Sequence, residues 1–254
     1  MTASRRELFK YGASIGALAM LSLREETMQR VQAAAGALGD APPDFAARDE
    51  SFWFQVQTAF QIDRAIINLN NGGVCPAPQV VLEAARRQME YVNNIPARHL
   101  WSQLDPHVET SRAHLARHFG CSPEEMAIVR NASEALEICI YGIDLKPGDE
   151  VLTTDQDYGR MINTFKQRVA REGIVLNTPP IPTPATGPQD ILEVFRKNIT
   201  PKTRVMHCAH VINITGQIVP VRDIVRLGRE HGIPVIVDGA HAFGHLVFSR
   251  DELE

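Results

Sequence analysis

Asp238 closes the apolar run Pro234-Val235-Ile236-Val237. A carboxylate at the end of a buried hydrophobic strand is expensive unless a cation pairs with it. A protonated pyridine nitrogen, a metal ion or an arginine would each serve. His241 follows in Asp238-Gly239-Ala240-His241, where it could orient a ligand oxygen or be a satisfied structural histidine. His241 and His245 stand four apart, but Gly239 and Gly244 flank them. No helix is implied there and no third metal ligand is evident, so no metal is expected.

Three further stations follow apolar runs. After Ala127-Ile128-Val129 come Asn131-Ala132-Ser133 at the start of a predicted helix. Small residues and a hydroxyl there leave free backbone N–H groups suited to a phosphate, although Asn131 or Ser133 could simply cap the helix. After Val151-Leu152 comes Tyr158, able to lie flat against an aromatic ligand or to pack over the end of a sheet. After Val205–Cys208 comes Asn213, a source of a fixed hydrogen bond or a holder of the turn that Gly216 completes.

The elements that must position these residues alternate along the chain. Apolar runs at 127–129, 150–153, 174–176, 204–208 and 234–237 read as strands. Helical patterns lie between them at 132–143, 159–171, 189–197 and 221–231. Before them, Pro78 to Asn93 predicts a helix with Val81, Leu82, Ala85 and Met89 on an apolar face, and Pro106 to Phe119 another, stopped by Gly120. Strands spaced by such helices predict a three-layer α/β/α domain on a mostly parallel sheet, with chemistry at the carboxyl ends of the strands.

The 254 residues are 44% hydrophobic and 22% charged, ordinary globular values that argue against disorder. A net charge of -4 and 6% aromatics leave no polyanion-binding bias and no stacking platform, so nucleic acid is not an expected partner. Cys75, Cys121, Cys139 and Cys208 are scattered, with no zinc or disulfide spacing. Cys139, between Ile138 and Ile140, reads as a small core residue.

The order of "RNASEAL", "TTDQDYG", "AHVINITGQIVPV" and "VDGAHAFGH" resembles the class V aminotransferases, fold-type I enzymes that use pyridoxal 5'-phosphate (PLP). "LNNGGVCPAP" at 69–78 and "PARHLW" at 96–101 resemble the isopenicillin N epimerase-like branch. The resemblance covers roughly residues 62 to 248 and implies a PLP-binding large domain over 62–254. It implies a phosphate cup at Asn131-Ala132-Ser133 and a ring-face residue at Tyr158. Asn213 would sit near the phenolic oxygen and Asp238 on the pyridine nitrogen, with His241 where relatives often carry glutamine. Asp238 would keep the ring nitrogen protonated, so the ring accepts electrons from a carbanion at the substrate's α-carbon.

One departure from the family concerns its Schiff-base lysine. Lys10, Lys146, Lys166, Lys197 and Lys202 are the lysines present, and none stands at a matching position. The expectation is a chain that stops before that lysine and before the C-terminal small domain, inactive alone and poorly soluble through exposed apolar surface. The complete protein is expected to act on an amino-acid-like substrate as an epimerase, aminotransferase or C–S lyase; the alternative is a non-catalytic PLP-binding remnant. Arg98 is a candidate for a substrate carboxylate or a surface ion pair, and Asn71 for approach to the active site. A homodimer is what the resemblance suggests.

At the N-terminus, Arg5-Arg6 precede an uncharged stretch from Tyr11 to Leu23, too short to span a bilayer. The pattern resembles a twin-arginine export signal over 1–35, with Ala33-Ala34-Ala35 as a cleavage site; a cytoplasmic amphipathic helix is the alternative. Residues 36–61 then read as a linker and N-terminal segment around Pro42-Pro43.

Overall fold

The computed structural model describes residues 28–253. The paired arginines, the Tyr11–Leu23 stretch and Lys10 lie outside the described residues. Residues 28–38 are helical and include Ala33–Ala35. The chain divides into two compact units, one ending at Leu104 and one running from Asp105 to Glu254. The boundary therefore falls inside the stretch expected to be one domain.

In the first unit, the expected linker is helical at Pro43–Arg48 and again at α1 (Glu50–Thr58). The Asp49 carboxylate caps α1 by accepting from the N–H groups of Ser51 and Phe52. Helix α2 (Gln79–Asn94) forms where expected. Its apolar face is not buried, however: Val81, Leu82 and Met89 are 52%, 39% and 64% exposed, and Ala85 is exposed too. The helical period was legible, but nothing within this unit covers the stripe.

The second unit opens with α3 (Asp105–Phe119), stopped by Gly120 at φ 75°. The Ser122/Glu125 capping box then starts a single 3-10 turn rather than a full helix. Next come α4 (Ala132–Gly142), β1 (Glu150–Leu152), α5 (Gly159–Glu172) and β2 (Val175–Asn177). They are followed by α6 (Pro188–Asn198), β3 (Thr203–Ala209), α7 (Val221–His231) and β4 (Val235–Asp238).

The four strands are all parallel, in the order β2-β1-β3-β4. From β1 the chain crosses to β2 on one side and then returns to β3 on the other. The winding therefore reverses between β1 and β3, the position where open α/β sheets leave a ligand crevice at the carboxyl ends.

Each sheet face has its own core. Leu152, Met206 and Cys208 meet Ile191, Leu192 and Phe195 of α6 and Val221, Ile224 and Leu227 of α7. Val151 and Val205 meet Leu136 and Ile140 of α4 and Met161 and Phe165 of α5. Helices cover both faces, giving the three layers expected. The buried Arg168 of α5 donates to the carbonyls of Ile140 and Ile143, satisfying orphan acceptors at the end of α4, and pairs with Glu172.

Two expectations fail here. Residues 127–129 form no strand, because among the described residues no neighbouring strand takes up their N–H and C=O groups. Cys139 is exposed, since Leu136 and Ile140, four apart on α4, face the sheet and turn the residue between them aside.

Candidate cofactor site

Asp238 ends β4 and is 5% exposed. Its register partner on β3 is Ala209, and it shares a sheet face with Ile236, which packs against the α4/α5 core. One carboxylate oxygen, Oδ1, accepts from the Ala240 N–H at 2.9 Å, while the other has no hydrogen bond among the described residues. The acid is thus buried with half its capacity unused.

Helix α4 lies against β4 and leads by a short connection into parallel strand β1. It therefore runs antiparallel to the strands, and its N-terminus stands at their carboxyl ends, the end at which Asp238 sits. The Asn131 side chain caps this helix, accepting from the Glu134 N–H at 3.0 Å, and the Glu134 carboxylate accepts from the Arg130 N–H at 2.8 Å. Asn131 is thus a cap, while the N–H groups of Ala132 and Ser133 and the Ser133 hydroxyl make no hydrogen bond among the described residues. Two backbone donors, a hydroxyl and the positive end of the helix dipole suit a phosphate.

Tyr158 holds the N-cap position of α5, also at the carboxyl end of β1. Its half-buried ring packs against the α4/α5 core, and its hydroxyl accepts from Arg160 Nε at 3.1 Å. The structure thus shows the packing role, and an aromatic ligand would have to share this ring. Asn213 is exposed in the turn after β3; Gly216 at φ 71° completes that turn with its N–H on the Ile212 carbonyl, without help from the Asn213 side chain. His241 is half-buried in the turn after β4, and its carbonyl accepts from His245 Nδ1 at 2.9 Å. That contact uses His245 Nδ1. Among the described residues no three His, Cys, Asp or Glu side chains are grouped to hold a metal ion.

Arg98 and Asn71 belong to the first unit. Arg98 is exposed in the short helix Pro96–His99, with no ion-pair partner among the described residues. Asn71 exchanges hydrogen bonds with Asn68 and lines a cleft of about 410 Å³ with Phe60, Ile62 and Cys75. The described lysines, Lys146, Lys166, Lys197 and Lys202, are all exposed.

A buried network at the winding reversal was not anticipated. Asp157 Oδ2 accepts from Thr153 Oγ1 at 2.8 Å and from His207 Nδ1 at 3.1 Å, and its Oδ1 accepts from the Tyr158 N–H at 2.8 Å. Burial pushes the Asp157 pKa up, but the hydrogen bond and charge of His207, with the Thr153 and Tyr158 donors, outweigh it and hold the group below its usual value. A histidine inside an otherwise apolar strand was the available signal; its partner fifty residues earlier could not be read from spacing. Cys208, next to His207, has its thiol pKa pushed up by burial and then by the charges of Asp157 and Asp238, so it is an inert core group.

The sequence profile of the Aminotransferase class-V family matches residues 67–254. The chain belongs to the class V aminotransferases. This is a PLP-dependent family of fold-type I enzymes. Among its class V relatives, isopenicillin N epimerase of Amycolatopsis lactamdurans is 29% identical over 76% of this chain and 49% of its own length. A putative L-cysteine desulfhydrase of Oryza sativa subsp. japonica is 30% identical over 72% of this chain and 42% of its own. The solved complex of the cystine C-S lyase C-DES with cysteine persulfide superposes with a TM-score of 0.66 at 30% identity, covering 73% of this chain and 50% of that one. The chain spans about half the length of the curated relatives it matches.

Proposed function

We propose that this class V chain binds PLP at the carboxyl ends of its strands and serves epimerase, aminotransferase or C–S lyase chemistry at the α-carbon of an amino acid. The observation that carries the reading is Asp238: a buried carboxylate with one oxygen free, on the face and at the end where α4 presents unused N–H groups. When bound, the protonated pyridine ring supplies a sink for electrons released at the substrate's α-carbon. Asp238 would hold the proton on the ring nitrogen by offering a charge-assisted acceptor in a poorly solvated position. Ala132, Ser133 and the α4 dipole would fix the phosphate and so the distance between phosphate and ring nitrogen. Asn213, free of other duties, would donate to the phenolic oxygen, and Tyr158 would border the ring plane.

Equilibrium dialysis with PLP tests this reading. One equivalent should bind saturably, with about tenfold weaker affinity and a shifted cofactor absorption band in Asp238→Asn. About fivefold weaker affinity is expected in Ser133→Ala, from the loss of one phosphate hydrogen bond. Equal affinity and an unchanged spectrum in both variants would reject the site.

The second reading, PLP binding without catalysis, is favoured by the exposure of every described lysine. Borohydride reduction followed by intact mass separates the two, because a covalent PLP adduct on a lysine requires a lysine at the site. A homodimer, and export directed by Arg5-Arg6, complete the proposal; sedimentation velocity and the mature N-terminus test them.

A further inference from the structure

The Thr153–Asp157–His207 network has a cost that a purely structural core would avoid. His207 is fully buried, as is the side chain of Asp157 apart from a trace. Its Nδ1 is used on the carboxylate, and its Nε2 is buried without a hydrogen-bond partner among the described residues. The ring meets the edge of Phe165 at 5.4 Å. Leucine would fill such a space without desolvating a carboxylate or orphaning a ring nitrogen, and buried ion pairs are often matched or bettered by apolar residues.

What the arrangement provides instead is connection. The single Asp157 carboxylate joins the residue just past β1, the middle of β3 and the first residue of the α5 cap. These lie on the two sides of the winding reversal. Tyr158 is then held at three points: its N–H by Asp157, its hydroxyl by Arg160, and its ring by the core.

We propose that His207, acting through Asp157, is a positioning residue that holds the Asp155–Tyr158 loop and the Tyr158 ring at the rim of the crevice between β1 and β3. Its link to cofactor binding rests on the PLP reading above. The holding of the loop does not. Asp157 can keep its carboxylate turned toward the Tyr158 N–H only while Thr153 and His207 occupy the other oxygen. Asparagine at position 207 offers a donor near the place of Nδ1, whereas leucine fills the volume and offers none.

The test is amide hydrogen exchange of Tyr158 in the full chain, measured for wild type, His207→Leu and His207→Asn, together with PLP affinity by dialysis. In His207→Leu the Tyr158 amide should exchange about tenfold faster, while the amides of Ile224 and Leu227, on the opposite layer, keep their protection. His207→Asn should stay within about threefold of wild type. PLP affinity should fall in His207→Leu and recover in His207→Asn. Equal Tyr158 exchange in all three proteins, or equal loosening of every amide by either substitution, overturns the proposal. If leucine does not fold, Asp157→Asn replaces it with the same criterion at the Tyr158 amide. Selective loosening of Tyr158 without PLP binding even by wild type would refute the PLP reading and leave the loop-holding role in place.

Discussion

His210 shows how one side chain can be both buried and undersupplied. It is 6% exposed, its Nδ1 has no partner, and its ring meets Phe248 at 4.9 Å. Burial pushes its pKa below the usual 6.5. The unfolded chain therefore takes up a proton first as the pH falls, and stability drops as the pH passes below 6.5 toward the folded value. Phenylalanine keeps the ring contact and cannot titrate, and the backbone bonds of residue 210 to Asp238 and Val219 do not involve its side chain. His210→Phe should shrink the difference between urea midpoints measured at about pH 8 and about pH 5. An undiminished difference would move the titration to another group. The burial of Asp238 at the end of a strand was legible in the sequence because the carboxylate follows four apolar residues. Asp157 was not, because its meaning depends on His207, and only the pairing of β1 with β3 brings the two together.

At the scale of elements, α7 approaches the sheet closely at Gly228. A methyl group on Gly228 would stand 2.6 Å from Val235 Cγ2 and 2.7 Å from the Ile233 carbonyl oxygen. Alanine normally gains about 1 kcal/mol over glycine inside a helix. Here the methyl would have to push α7 off the strand that ends in Asp238, and overpacking of this kind costs about 1–3 kcal/mol. Gly228→Ala should therefore lower the urea midpoint despite its better helix propensity; a rise would show that α7 can shift freely. The helices of the second unit were readable to within a residue or two because turn residues and apolar period agree in them. The 127–129 run was apolar enough to be a strand and is not one, since a strand exists only by the grace of its neighbour.

At the scale of the whole molecule, the described surface carries much apolar area. In the first unit, Ile67, Leu69 and Val74 are 86%, 91% and 75% exposed, and in the second, Val247 is fully exposed. Such side chains promote self-association that added salt does not relieve. Replacing Ile67, Leu69 and Val74 together with serine should shift sedimentation velocity profiles toward monomer at about 0.5 M salt without lowering the unfolding free energy by more than about 1 kcal/mol. Unchanged association would place the contact on other surfaces. No helix among the described residues is long and apolar enough to cross a membrane.

The sequence by itself determined the alternation of helix and strand, the layered α/β class and the stations at the ends of β1, β3 and β4. Local propensity and two simple periods write these into neighbouring residues. Tertiary structure alone decided which stations share an end. The order β2-β1-β3-β4 puts the winding reversal between β1 and β3, and the antiparallel run of α4 brings Ser133 to the end where Asp238 waits. It also decided that Asn131 spends its side chain on its own helix, that Tyr158 packs on the core, and that α2 keeps its apolar stripe uncovered. Those are outcomes of competition between distant partners for the same donors, acceptors and surfaces, and sequence spacing holds no record of distance in space.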